Sequence, residues 1–151
     1  MSTIYNVKAT LNRETRKYLR INGTEEWKKQ CLKKANYKCE ITGKKSIPSN
    51  QLDVHHKNVT FDFIMDEAHR KLNIKHHKLI MDYKPEELAA LVEEIKEMHK
   101  EVEGVVIRHT LHMAFHQQYG KKATSQDYKT FKKEQRTRLY KSKNGSYKKS
   151  A

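Results

Sequence analysis

Between Leu88 and Val102 apolar residues return every three or four positions, at Leu88, Leu91, Val92, Ile95, Met98 and Val102. That spacing lines one face of an α-helix. Pro85 suits its first turn, where a missing N–H is tolerated, and Gly104 supplies a stop. A shorter helix over 61–72 is predicted by Phe61, Ile64, Ala68 and Leu72 on one side, with Thr60 as its cap. Thr24, followed by Glu25 and Glu26 in a first turn that favours acids, predicts a helix through about Asn36. Its apolar stripe is Trp27, Cys31, Leu32 and Ala35. Residues 1–20 read as irregular, with Ile4 to Val7 as a candidate strand.

Two other segments have strand character. Gln51 to Val54 is a short strand leading into the adjacent His55 and His56, and Val105-Val106-Ile107 is a β-branched run. Cys39 to Gly43 and Ile47 to Asn50 read as turns. Residues 110–118 read as a helix closing at Gly120, with Leu111 and Phe115 buried. Thr124 with Asp127 three residues later is a variant of the capping box, opening a helix to roughly Tyr140 with Tyr128, Phe131 and Leu139 inward. The last ten residues are polar and expected to be disordered, and the chain has no internal repeat.

Composition narrows the class. The chain has 151 residues, 36% apolar and 33% charged, which predicts one domain with a small core and a tail. No apolar run reaches the roughly 18–20 residues of a membrane span, and the first ten residues lack the apolar stretch of a secretion signal. A cytoplasmic protein that neither spans a membrane nor is secreted is expected. Two cysteines, Cys31 and Cys39, are too few for a disulfide scaffold or a four-cysteine zinc site.

The net charge of +14 is unevenly spread. Residues 1–60 hold 13 basic and 5 acidic side chains, residues 61–104 hold 7 and 11, and residues 121–151 hold 11 and 2. A polyanion is attracted to both ends, because each neutralised phosphate releases condensed counterions. The bland alternative is a surface charged for solubility, but +14 on so short a chain exceeds that need.

Nine histidines stand in this chain. His112 and His116 are four apart on a predicted helix, so both imidazoles face one way, within reach of a single ion. His109 lies on roughly the same face if the helix has begun there. His55 and His56, at a strand end, point to opposite sides, so one can bind an ion while the other faces away. Three neutral imidazoles leave coordination positions open, as a catalytic site requires. His69, His76, His77 and His99 read as structural or surface residues.

Leu52 to His56, then Val105 to Ile107, then Leu111 to Gly120 together resemble the HNH nucleases. Within that family the chain is most similar to the phage-encoded free-standing or homing enzymes. These share a Cys-x-x-Thr-Gly turn, here Cys39 to Gly43, an inserted helical stretch and a Leu-His-x-x-Phe-His-x-x-Tyr-Gly segment. The resemblance covers about residues 24–140.

It implies an α+β fold: a small ββα-metal finger with an inserted helical segment and flanking helices. The nuclease domain would span 1–120, with a core of about 24–120 and an insertion of about 59–103. Residues 121–151 would form a basic helix and disordered tail that extend the DNA-binding surface. It further implies that His56 is the general base and that His55, His112 and His116 hold one divalent ion, Mg²⁺, Mn²⁺, Ni²⁺ or Zn²⁺. Imidazole suits the base because it titrates near neutrality. Asp53, two residues before His55 and on its face, either assists the ion or stands behind the ligands.

The middle Asn of the HNH name has no clean match. Glu103 stands at the expected spacing, Asn58 and Asn73 are alternatives, and His99 is a candidate for orienting the base. Cys39 has no partner two residues on, so the zinc knuckle of many relatives is expected to be absent, with the insertion supporting the finger instead. For phosphate contacts the sequence offers Arg108, Lys121, Lys122, Lys129, Lys132, Lys133, Arg136 and Arg138. Expected partners are double-stranded DNA and the ion, with no membrane and no small-molecule cofactor. The competing readings are a non-catalytic DNA-binding regulator with a structural or degenerate metal site, and a nuclease acting on RNA.

Overall fold

The computed structural model describes residues 2–45 and 51–150, and the side chains of 13–45 and 51–142 within them. The turn expected at Ile47 to Asn50 lies outside the described residues. In chain order the elements are α1 (Ser2–Lys34), β1 (Leu52–His56), α2 (Phe61–Leu72), α3 (Pro85–Met98), β2 (Gly104–Arg108), α4 (His109–Tyr119) and α5 (Ser125–Ser150). The fold is α+β, a two-stranded antiparallel sheet flanked by helices. Two compact units share the chain: residues through Lys29 with Val59–Val102, and Gln30–Asn58 with Glu103 onward. Among the described residues no helix is long and apolar enough to cross a membrane.

In the first unit Leu19 of α1 joins Phe61, Ile64 and Ala68 of α2, Tyr83, and Leu91, Val92 and Ile95 of α3 in one buried cluster. Thr60 caps α2 by accepting the Phe63 N–H at 3.1 Å. Pro85 opens α3, whose first turn is acidic. The N-terminal expectation is corrected. Residues 2–34 form one continuous helix, and Thr24 lies inside it, donating its hydroxyl to the Arg20 carbonyl at 2.6 Å rather than capping. Packing overrides the local signal here: a Cβ on Gly23 would lie 2.6 Å from Cγ2 of the fully buried Ile95, so glycine permits the close approach of α3. Gly104 is likewise not a helix stop. The chain leaves α3 at Met98 through a 3₁₀ turn (His99–Glu101), and Gly104 begins β2.

In the second unit β1 and β2 pair with His55 opposite Val105 and His56 opposite Gly104. The strand expected to lead into the two histidines contains them. β2 runs straight into α4 through Arg108, giving a ββα arrangement. The Cys39–Gly43 turn is closed by the Gly43 N–H to the Cys39 carbonyl (2.7 Å) and joined to β2 by the Glu40 N–H to the Val106 carbonyl (2.8 Å). The Thr124/Asp127 capping box forms reciprocally, at 2.9 and 3.1 Å. Tyr128 and Phe131 of α5 are buried against Phe115 of α4, with ring centroids 5.8 and 5.3 Å away. Leu139, expected inward, is 41% exposed, and Leu111 is only half-buried. α5 also continues to Ser150, past Tyr140, where the sequence reading ends the helix and expects disorder; nothing after Tyr140 includes a proline, so each further residue can add its hydrogen bond.

Candidate metal centre

Strand alternation puts Asp53 and His55 on one face of β1. One helical turn puts His112 and His116 on one face of α4. The pairing of the two elements brings these faces together. His55 Nδ1 lies 3.3 Å from His112 Nε2, which lies 3.1 Å from His116 Nε2, and the three nitrogens are all within 4.8 Å of one another. Two metal–nitrogen bonds of about 2.0–2.1 Å near the tetrahedral angle hold their nitrogens roughly 3.3–3.4 Å apart. The spacing fits a single ion.

The finger matches the HNH His-Me architecture. No protein-family model, curated protein or solved structure matches the chain.

Hydrogen bonds fix which nitrogen His112 and His116 offer. His116 donates its Nδ1–H to the Gly120 carbonyl at 3.1 Å, and His112 donates its Nδ1–H to Asp53 Oδ2 at 3.0 Å. A carbonyl and a carboxylate can only accept, so both Nδ1 atoms carry protons. His112 and His116 therefore turn their Nε2 atoms toward each other, where one cation can bind both. The donor set fits a borderline divalent ion held by imidazole. Gly120 has φ 83° and ψ 179°, a backbone state almost confined to glycine. It aims its carbonyl at His116 while its own N–H caps α4.

His55 is buried, edge-on to Phe115 at 5.1 Å and 5.4 Å from the Tyr128 ring. Burial, then the nearby His112 and His116, push its pKa down to about 3, leaving it in the neutral form that ligates. Burial raises the Asp53 carboxyl, but the N–H bonds from His112 and His109 outweigh this and hold it below its ordinary value. The carboxylate is therefore the form that accepts them.

Other residues singled out in the sequence are placed as follows. His56 ends β1, half-buried, on the face opposite His55. α4 begins at His109, whose Nδ1–H donates to Asp53 Oδ2 at 2.7 Å. Arg108 is half-buried at the N-cap of α4. Lys121, Lys122, Lys129, Lys133, Arg136 and Arg138 are exposed, and Lys132 is half-buried. Lys129, Lys132, Lys133, Arg136, Thr137 and Tyr140 line an open depression of about 460 Å³ on α5. Asn73 is the left-handed C-cap of α2, and His99 donates Nδ1–H to the Ile95 carbonyl at 2.7 Å in the first unit.

Three residues support the finger in ways the sequence does not announce. Asn58 Oδ1 accepts the Glu103 N–H at 3.0 Å, while the Lys57 N–H reaches the Glu103 carbonyl at 3.0 Å, extending the finger's pairing beyond His56. Glu40 receives the Tyr128 hydroxyl, the Lys132 ammonium at 2.9 Å, and on its carbonyl the Arg136 guanidinium at 2.8 Å. It fastens α5 to the Cys39 turn and engages two of the cations assigned to phosphate. The third is the Gly120 carbonyl. Asn58, an alternative to Glu103 for the middle Asn, instead bonds to Glu103; Glu40 and Gly120 carry no local signal that reveals a partner so distant or so dependent on backbone direction.

Proposed function

We propose that the protein is a metal-dependent endonuclease that hydrolyses phosphodiester bonds in double-stranded DNA. The observation that carries this reading is the convergence of the Nε2 atoms of His112 and His116 and the Nδ1 of His55 on one point. His55, His112 and His116 would hold one divalent ion. When bound, that ion would supply positive charge for the phosphate oxygens as charge develops in the transition state.

The remaining roles fall to side chains. His56, next to a ligand and at the strand end, takes a proton from the attacking water. The water's oxygen bonds to phosphorus as the bond to the 3′ oxygen breaks, and that oxygen takes a proton from solvent water, leaving 5′-phosphate and 3′-hydroxyl ends. Arg108 and the lysines and arginines of 121–138 hold the flanking phosphates, positioning without specifying sequence. Residues 1–120 would carry the chemistry, with 59–103 as an insertion and 121–151 as the DNA-binding extension. A phage-encoded, free-standing enzyme working in the host cytoplasm is the form of this reading that the sequence resemblance supports.

The test is conversion of supercoiled plasmid to open circles with Mg²⁺, Mn²⁺ or Ni²⁺. Nicking by the wild type, its loss in EDTA, and DNA binding without nicking by His56→Ala are expected. Plasmid bound but left intact with every ion rejects the enzyme in favour of a DNA-binding protein. Cleavage confined to RNA moves the substrate class. Equal nicking by wild type and His56→Ala removes His56 from the role of base.

A further inference from the structure

Asp53 is the one acidic side chain bonded to a ligand of the finger among the described residues, and it stands behind the ligand nitrogens rather than among them. Its Oδ2 accepts the Nδ1–H of His112 at 3.0 Å and that of His109 at 2.7 Å. The opposite ring nitrogen of His112 is the one that lies 3.3 Å from His55 and 3.1 Å from His116. In water a neutral imidazole exchanges between two tautomers, and only the Nδ1–H form presents a lone pair at Nε2. His112 is the central member of the trio, so an Nε2–H tautomer there would aim a proton at both neighbours and close the site.

We propose that Asp53 is a positioning residue: it locks His112 as the Nδ1–H tautomer and holds its ring angle, presetting the finger for the ion before any ion arrives. This rests on the metal-site reading above. Placement supports it as well as distance. Asp53 is two residues before His55, so strand alternation delivers both to the face that meets α4. The register sets Asp53 opposite Ile107, beside the start of α4, and its carboxylate therefore reaches the first turn of that helix. A group that fixes the orientation of a histidine ligand in this way typically contributes about 10–100-fold to metal affinity.

The test uses the full chain labelled with ¹⁵N-histidine. Two-bond ¹H–¹⁵N spectra of the metal-free protein read each tautomer, Ni²⁺ calorimetry reads affinity, and thermal unfolding reads the fold. Wild type is expected to show His112 as the Nδ1–H form. Asp53→Ala is expected to give a mixed or Nε2–H tautomer and an Ni²⁺ affinity weaker by about 10–100-fold. Asp53→Asn, whose side-chain oxygen still accepts an N–H, is expected to restore the tautomer and most of the affinity. His109→Ala, which leaves the Asp53–His112 bond in place, is expected to keep the His112 tautomer.

A wild-type tautomer and affinity in Asp53→Ala would overturn the proposal. So would Asp53→Asn binding as weakly as Asp53→Ala, since charge rather than orientation would then be the cause. If Asp53→Ala does not fold, Asp53→Asn decides: the Nδ1–H form with near-wild-type affinity supports the proposal, and a mixed tautomer overturns it. Wild type that takes up no Ni²⁺ rejects the metal-site reading, while the metal-free spectra still report on Asp53 itself.

Discussion

At the scale of single residues, hydrogen-bond direction decides what each imidazole can do. Gly120→Ala puts a Cβ where φ is 83°, a strain of about 1–3 kcal/mol. The chain relieves it by turning the Gly120 carbonyl away from His116. The expected outcome is a lower melting temperature together with weaker Ni²⁺ binding by calorimetry, the second absent if His116 is not a ligand. His69 behaves differently, as part of a core. It donates Nδ1–H to the Met65 carbonyl at 2.7 Å and accepts the Tyr83 hydroxyl at Nε2 at 2.8 Å, with His76 stacked at 3.8 Å. Burial lowers its pKa, the Met65 bond opposes the shift, and His76 adds to it. A depressed folded-state value means that the stabilisation is complete above the ordinary value of 6.5 and is lost as pH falls below it. His99 is lowered by burial in the same sense. Urea midpoints are therefore expected to drop between pH 7 and pH 5, and a flat profile would contradict this account.

At the scale of elements, the clear periods were legible and the packed exceptions were not. The apolar stripe of α3, that of α2 except for the exposed Leu72, the Thr60 cap, Pro85 and the Thr124/Asp127 box all stand where their local patterns place them. α1 broke the rule, since Thr24 reads as a cap with an acidic first turn after it, yet it lies with Gly23 inside a helix. Gly→Ala in a helix interior ordinarily stabilises by about 1 kcal/mol. At Gly23 the new methyl would meet Ile95, which is fully buried and cannot withdraw, and overpacking of this kind costs about 1–3 kcal/mol. Gly23→Ala is thus expected to lower the urea midpoint, and a rise would show that α1 and α3 can part locally.

At the scale of the whole molecule, the charge of +14 becomes a surface only after folding has engaged some of its members. Lys132 and Arg136 are drawn to Glu40, while Lys129 and Lys133 stand exposed along the depression on α5. Removing residues 121–151 would also strip Tyr128 and Phe131 from the core, so point substitutions test the cationic face more cleanly. Lys129→Gln with Lys133→Gln is expected to weaken DNA binding across sequences and to lower the slope of log affinity against log salt by about 2. An unchanged slope would remove this face from the interface. By itself the sequence determined what is local: helix faces, caps, and the one-turn spacing that joins His112 to His116. The tertiary structure alone decided that β1 meets α4 so that His55 and Asp53 reach that pair, that Gly120 aims its carbonyl at His116, and which lysines are engaged within the protein. Those outcomes depend on strand register and on contacts between residues dozens of positions apart, and neither leaves a periodic trace along the chain.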